Sequence, residues 1–139
     1  MNTSATIDDD VKAIRSLGEE FFKGVAAGDL DRRMATMAPG TIIMPPDRPS
    51  IVGRDKIRQL SHDYAAAYDE QCSLVYDEIE TAGNWGFVRA TVTGTRTSKS
   101  GGTIEKVHLQ NLWIVKRQSD GEWRFWRIMF NSTPSRCAT

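Results

Sequence analysis

The chain has 139 residues, 40% of them hydrophobic and 26% charged, which bounds one globular domain with a core of its own. Eighteen Lys and Arg balance eighteen Asp and Glu, so no overall field draws nucleic acid or an anionic membrane. There is no run of about 18 apolar residues to cross a bilayer, and MNTSATIDDD has neither the basic patch nor the apolar core of a secretory signal.

Cys72 and Cys137 share no metal-like spacing, and the two histidines, His62 and His108, are far apart. A reduced, cytoplasmic chain without a disulfide framework is therefore expected, with no metal. No glycine-rich phosphate loop, nucleophile elbow, flavin or nicotinamide fingerprint is present, so no cofactor is expected.

In chain order, residues 1–7 read as a tail running into a helix. Thr6 and Asp9 form a capping-box pattern, and Asp8, Asp9 and Asp10 suit the positive end of a helix. Val11, Ile14, Leu17, Phe21 and Val25 make its apolar stripe, and Gly18 on that face lets another element approach closely. Gly28 ends the helix and Asp29 caps a second, short one, with Leu30, Met34 and Met37 inward, as far as Pro39-Gly40. Thr41 to Met44 reads as a strand. Pro45-Pro46 and Pro49 then impose an irregular loop. Gly53 breaks to a third helix carrying Ile57, Leu60, Tyr64 and Tyr68, with His62 off that stripe.

The remainder reads as strands. Cys72 to Thr81 alternates and turns at Ala82-Gly83-Asn84. Trp85 to Thr97 follows, with Gly86, Val88, Ala90 and Val92 on one face, and SKSGG at Ser98–Gly102 turns the chain again. Lys106 to Pro134 is an aromatic hairpin around Gln118–Glu122, holding Trp113, Trp123 and Trp126. Helices first and long antiparallel strands afterwards predict an α+β domain spanning 1–139, with residues 135–139 as a second tail.

Three segments resemble the nuclear-transport-factor-2-like superfamily, in its SnoaL-like and ketosteroid-isomerase-like branch of small bacterial proteins. TIIMPPDRPSIVGRDKI at Thr41–Ile57 is similar to its short strand, double proline and Gly-Arg helix start. AAGDLD at Ala26–Asp31 is similar to its first helix junction, and DGEWRFWRIMFNS at Asp120–Ser132 to its closing strand. The resemblance runs from Asp8 to Pro134 in shared order and spacing. It implies a curved antiparallel sheet wrapped around three N-terminal helices as a cone, whose open end is a ligand pocket, and a homodimer through the outer sheet face. It also leaves function open, since the superfamily holds isomerases, dehydratases, cyclases, epoxide hydrolases and proteins without known activity.

The steroid isomerases of this group use an aspartate base with a tyrosine and a protonated aspartic acid as oxyanion hole. Alignment on Gly28-Asp29 puts Phe21 at the tyrosine, Met44 at the base and Asn111 near the second acid. Phe21 and Met44 cannot move a proton, so that mechanism is not retained, whereas Asn111 can still donate a hydrogen bond to an oxyanion.

Weaker catalytic candidates come from the residues themselves. Asp47 stands beside the double proline at the expected mouth, Tyr64 on the third helix, and Arg127 on the last strand. Val107, Leu109, Asn111, Trp113 and Val115 form the more apolar strand face, which sets Asn111 inward and His108 outward unless a bulge reverses the parity. On the last strand Trp123, Phe125, Arg127, Met129 and Asn131 share one face, opposed by Arg124, Trp126, Ile128 and Phe130.

The expected ligand is a small apolar organic molecule, in a pocket lined by Phe21, Met44, Tyr64, Val88, Asn111, Trp113 and Met129. One reading is a cofactor-independent isomerase, cyclase or dehydratase acting on a polyketide-like or steroid-like substrate, with no base identified. The other is a non-catalytic ligand-binding or dimerisation module of the same fold.

Overall fold

A computed structural model describes residues 3–133, with the side chains of residues 7–24 and 28–133. Val25, Cys137 and the tail at 135–139 therefore lie outside the described side chains. Helix α1 spans Thr3–Ala27 and α2 Leu30–Met34. Strand β1 runs over Met37–Met44 and β2 over Ile51–Val52, followed by α3 at Arg54–Ala67. The long strands are β3 Tyr68–Ala82, β4 Trp85–Ser98, β5 Ile104–Arg117 and β6 Trp123–Ser132. They form one six-stranded, curved and unclosed sheet in the order β2-β1-β6-β5-β4-β3. Only β1 and β6 run parallel.

The element boundaries follow local chemistry, with three departures from the sequence expectation. The first is that α1 starts at Thr3, inside the stretch read as a tail. The α1–α2 break lies where expected: Gly28 adopts φ +66°, and the Asp29 carboxylate accepts from the Arg32 amide at 3.1 Å. The second departure is that α2 is one turn long, and Met37 already belongs to β1. The third is that Tyr68, expected on the third helix, is already extended and opens β3, into which α3 passes directly after Ala67. Lys99 closes that junction, its Nζ donating to Ala65 O at 2.7 Å and its amide to Ala67 O at 2.9 Å.

Three irregularities bend the sheet and decide which side chains face the helices. In the β3–β4 ladder Tyr76 pairs with Ala90 and Glu78 with Arg89, so Asp77 is the extra residue. In the β5–β6 ladder Ile114 pairs with Arg127 and Val115 with Phe125, so Trp126 is extra. The third lies in the β1–β6 ladder between Met37 and Ile42. The Trp126 bulge corrects the expected parity of the last strand. Trp123 and Phe125 point inward before it, Ile128 after it, and Phe130 packs on the same core. Arg127 and Met129 pass to the outer side, where Met129 is 47% exposed.

The concave face holds Ile14, Met34, Met37, Ile43, Ile57, Val88, Ala90, Trp113, Val115, Trp123, Phe125 and Ile128. A run of edge-to-face rings crosses it: Tyr76 on Trp113 at 6.4 Å, Trp113 on Phe125 at 5.1 Å, and Phe125 on Phe21 at 5.3 Å. Gly18 admits this run to the helix surface, since a Cβ there would stand 2.2 Å from Tyr76 Oη.

Candidate functional site

The sheet and helices enclose a cavity of about 570 Å³ between α1, α2, α3 and the inner faces of β3 to β6. That volume lies within the range of pockets for small organic molecules. Its apolar wall includes Phe21, Phe22, Ile43, Pro45, Pro46, Leu60, Val92, Trp113, Ile128 and Phe130. Polar residues interrupt the wall at Arg33, Ser61, Tyr64, Glu70, Arg96, Lys106, His108 and Asn111. A shallower depression at Pro39, Gly40 and the first turn of α3 is lined by exposed Arg54, Asp55 and Lys56.

Three buried polar atoms have no hydrogen-bond partner among the described residues: Arg33 Nε, Ser61 Oγ and Asn111 Nδ2. All three residues line this cavity. Buried polar groups are nearly always partnered, so the coincidence of three unpartnered ones on residues of one cavity sets that wall apart from the rest of the core. Asn111 is the clearest case. Trp113 Nε1 donates to its Oδ1 at 3.2 Å, and because indole nitrogen can only donate, the amide is fixed with Nδ2 left over. Asn111 is 8% exposed and pairs with Ala90 on the inner register.

Tyr64 and Glu70 make a second group. Tyr64 Oη donates to Glu70 Oε2, tying the last turn of α3 to the start of β3. Burial first, and then this bond, pushes the Tyr64 phenol far above its ordinary range. Arg96 stacks on the Tyr68 ring at 4.4 Å and gives two bonds to Glu105, at 2.8 and 3.0 Å. Arg33 stacks on Phe21 at 4.4 Å. Burial lowers its guanidinium to about 10, opposed by the charges of Glu70 and Tyr64, and it stays cationic at neutral pH. Together the groups offer one carboxylate, a phenol, an amide donor and a hydroxyl around an apolar volume.

Of the residues expected at the pocket, Phe21, Tyr64, Asn111 and Trp113 line the cavity. Val88, Met44 and Met129 do not. Val88 is fully buried in the core, and Met129 was turned outward by the bulge. Met44 is replaced by its neighbour Ile43, which pairs with inward Ile128 and lines the wall. His108 borders the cavity although its ladder partner, Thr93, is exposed.

Asp47 sits exposed in the turn after Pro46 at φ +58°, a left-handed conformation aspartate tolerates; its neighbours Pro46 and Arg48 reach the cavity and it does not. Arg127 lies across the sheet from the cavity. It stacks on Trp126 at 4.0 Å and donates to Trp126 O at 2.7 Å. No cluster of metal-ligating side chains occurs among the described residues.

Arg33, Ser61 and Glu70 are site residues the sequence reading passed over, and each left a periodicity signal. Ser61 is four residues after Ile57 and three before Tyr64, on the same helical stripe. Glu70 shares strand parity with Tyr68, Cys72, Leu74 and Tyr76, all partly buried. Arg33 follows Leu30 by three.

Comparison with known proteins places this geometry. The family model of the SnoaL-like domain matches residues 19–126. No curated protein sequence matches the chain. Among solved structures, a ketosteroid isomerase-like protein from Erwinia carotovora atroseptica superposes with a TM-score of 0.82 at 21% identity, covering 96% of this chain and all of that one. A candidate dehydratase of the NTF2-like family from Streptomyces avermitilis gives 0.80 at 16% identity, over 92% and 99% of the two chains. A candidate scytalone dehydratase from Novosphingobium aromaticivorans gives 0.81 at 15% identity, over 95% and 89%.

Proposed function

Because the chain belongs to the SnoaL-like domain family, we propose that it binds a small ring-bearing organic molecule in this cavity and moves a proton on it without a cofactor. The carrying observation is the unpartnered Asn111 Nδ2, held by Trp113 at the wall of an apolar cavity that also contains a carboxylate. In this reading Glu70 is the base that removes a proton beside a carbonyl, and the negative charge moves to the carbonyl oxygen. Asn111 Nδ2 and the Ser61 hydroxyl donate to that oxygen; such preorganised donors are among the largest contributors to catalysis. Tyr64 holds Glu70 in place and carries no proton away, in keeping with its raised pKa. The reaction class is isomerase, cyclase or dehydratase on a polyketide-like or steroid-like substrate, a reading supported by neighbours described as ketosteroid isomerase-like and as candidate dehydratases. The outer sheet face, with exposed Phe87, Leu112, Ile114 and Met129, pairs two copies.

A non-catalytic ligand-binding module is the second reading, and one observation favours it: Glu70, the carboxylate at the cavity, is already engaged by Tyr64. Deuterium exchange at the acidic carbon of 2-tetralone separates the two. A positioned base contributes about 10²- to 10⁴-fold. Exchange accelerated over buffer and lost in Glu70→Gln supports catalysis. A melting-temperature rise with no exchange leaves a binding module, and no response to a broad panel of ring ketones removes both.

A further inference from the structure

The charges lining the cavity are unbalanced in a chain whose total charge is zero. Arg33, Arg48, Arg96 and Lys106 line it against one carboxylate, Glu70. Glu105 takes up Arg96 from outside the lining, and Glu70, hydrogen-bonded by Tyr64, acts on Arg33 through its charge without forming an ion pair with it. Arg33, Arg48 and Lys106 are left without an ion-pair partner among the described residues.

The three differ in setting. Arg48 and Lys106 are exposed, at the rim. Arg33 is partly buried, its plane fixed over Phe21 at 4.4 Å and its Nε unpartnered. An arginine is seldom buried without an anion or acceptor. A guanidinium with an orphaned inner N–H matches a planar carboxylate, which a lysine ammonium at the same place would not match as well.

We propose that the ligand is an anionic ring compound, a carboxylic acid whose carboxylate meets Arg33 while its rings lie on Phe21, Trp113 and Ile128. This rests on the reading that the cavity binds a ring-bearing molecule. Arg48 and Lys106 at the rim raise the encounter rate with an anion, and that contribution falls with salt. Burial of a neutral ring alone calls for none of these charges, whereas an acid needs a desolvated cation where its carboxylate leaves water. The proton chemistry at Glu70 and Asn111 is then done on a substrate anchored by a remote anionic group, which supplies orientation.

Calorimetric titration with 2-naphthoate and its neutral amide, 2-naphthamide, tests this on the full chain. Naphthoate is expected to bind at least about tenfold more tightly. In Arg33→Gln the gap closes, because naphthoate weakens and naphthamide does not. Since Arg33 also stacks on Phe21, the unaltered chain gives a second measurement: its Arg33 Nε–Hε NMR correlation shifts with naphthoate and stays in place with naphthamide. Equal affinities for the two compounds would overturn the inference and leave the ring-binding reading intact. An unmoved Arg33 correlation would overturn it too. Binding of neither compound would remove the inference together with the reading beneath it.

Discussion

A Cβ on Gly18 would stand 2.2 Å from Tyr76 Oη, 3.1 Å from Tyr76 Cζ and 3.2 Å from Trp113 Cζ3. Two effects compete in Gly18→Ala. Alanine improves the helix by about 0.8–1 kcal/mol. The contact forces Tyr76 aside, against its bond to Arg15 O at 2.6 Å and against a packed core, where overfilling costs about 1–3 kcal/mol. Overpacking wins, and Gly18→Ala is expected to lower the urea-unfolding free energy by roughly 1–2 kcal/mol. Tyr76→Phe in the same chain recovers part of that loss, because the nearest atom is gone. A Gly18→Ala chain as stable as the parent would show that α1 is not held this close to the sheet. Cys72 supports a second prediction at this scale. Burial, followed by the charge of Glu70, pushes its thiol up to about 11. The folded thiol therefore stays protonated where the unfolded one ionises, so its contribution to stability is complete below the ordinary thiol range and is lost as pH rises towards about 11. A thiol reagent at pH 8.5 should label Cys72 slowly in the native chain and rapidly in urea; equal rates would contradict the burial.

Elements are joined across the molecule by an ion pair that the sequence pattern did not disclose. Asp10, near the start of α1, is buried and accepts from Arg117 Nη2 at 2.8 Å and from Trp123 Nε1 at 3.4 Å. Arg117 also donates to Asn84 Oδ1 at 3.1 Å and stacks on Trp123 at 4.8 Å. One side chain thus ties α1, the β3–β4 turn and the closing hairpin together. Losing one partner of a buried pair strands the other charge, and here both groups keep some solvent contact. Arg117→Met is expected to cost about 1–3 kcal/mol in urea unfolding, and Asp10→Asn less, because the amide still accepts from Trp123. The double variant should lose less than the sum of the single losses; strict additivity would mean the two side chains do not interact. This also marks where sequence reading stops at the scale of elements. Helical stripes and strand alternation located α1, α3 and the four long strands, since those depend on contacts a few residues apart. The acidic run at Asp8–Asp10 read only as a helix-dipole feature, because its partner lies more than a hundred residues away.

At the scale of the whole molecule the curved sheet and helix layer were legible from residue order and the family resemblance, while the two faces of β6 were not. The Trp126 bulge is one residue, carries no glycine or proline signal, and reverses every assignment after it. Two of the seven expected lining residues, Asn111 and Trp113, lie on β5, which has no such fault, and both line the cavity. The same bulge builds the other surface. It turns Met129 outward beside Leu112, its ladder partner, and next to the outward pair Phe87 and Ile114. Leu112 is 45% exposed and Met129 47%. A contiguous apolar strip across three strands, flanked by Arg89 paired with Glu78, has the apolar centre and charged edge of a protein interface. If two copies pair there, the chain sediments as a dimer at micromolar concentration. Leu112→Glu with Met129→Glu places like charges opposite one another across a symmetric contact and yields a monomer. Both positions are solvent-exposed in the single chain and remote from the cavity lining, so the monomer should keep its circular dichroism melt to within the lost association energy and should still bind naphthoate. A parent chain that sediments as a monomer at high micromolar concentration would assign the strip another role, and a double variant that unfolds would show that these side chains support the sheet itself.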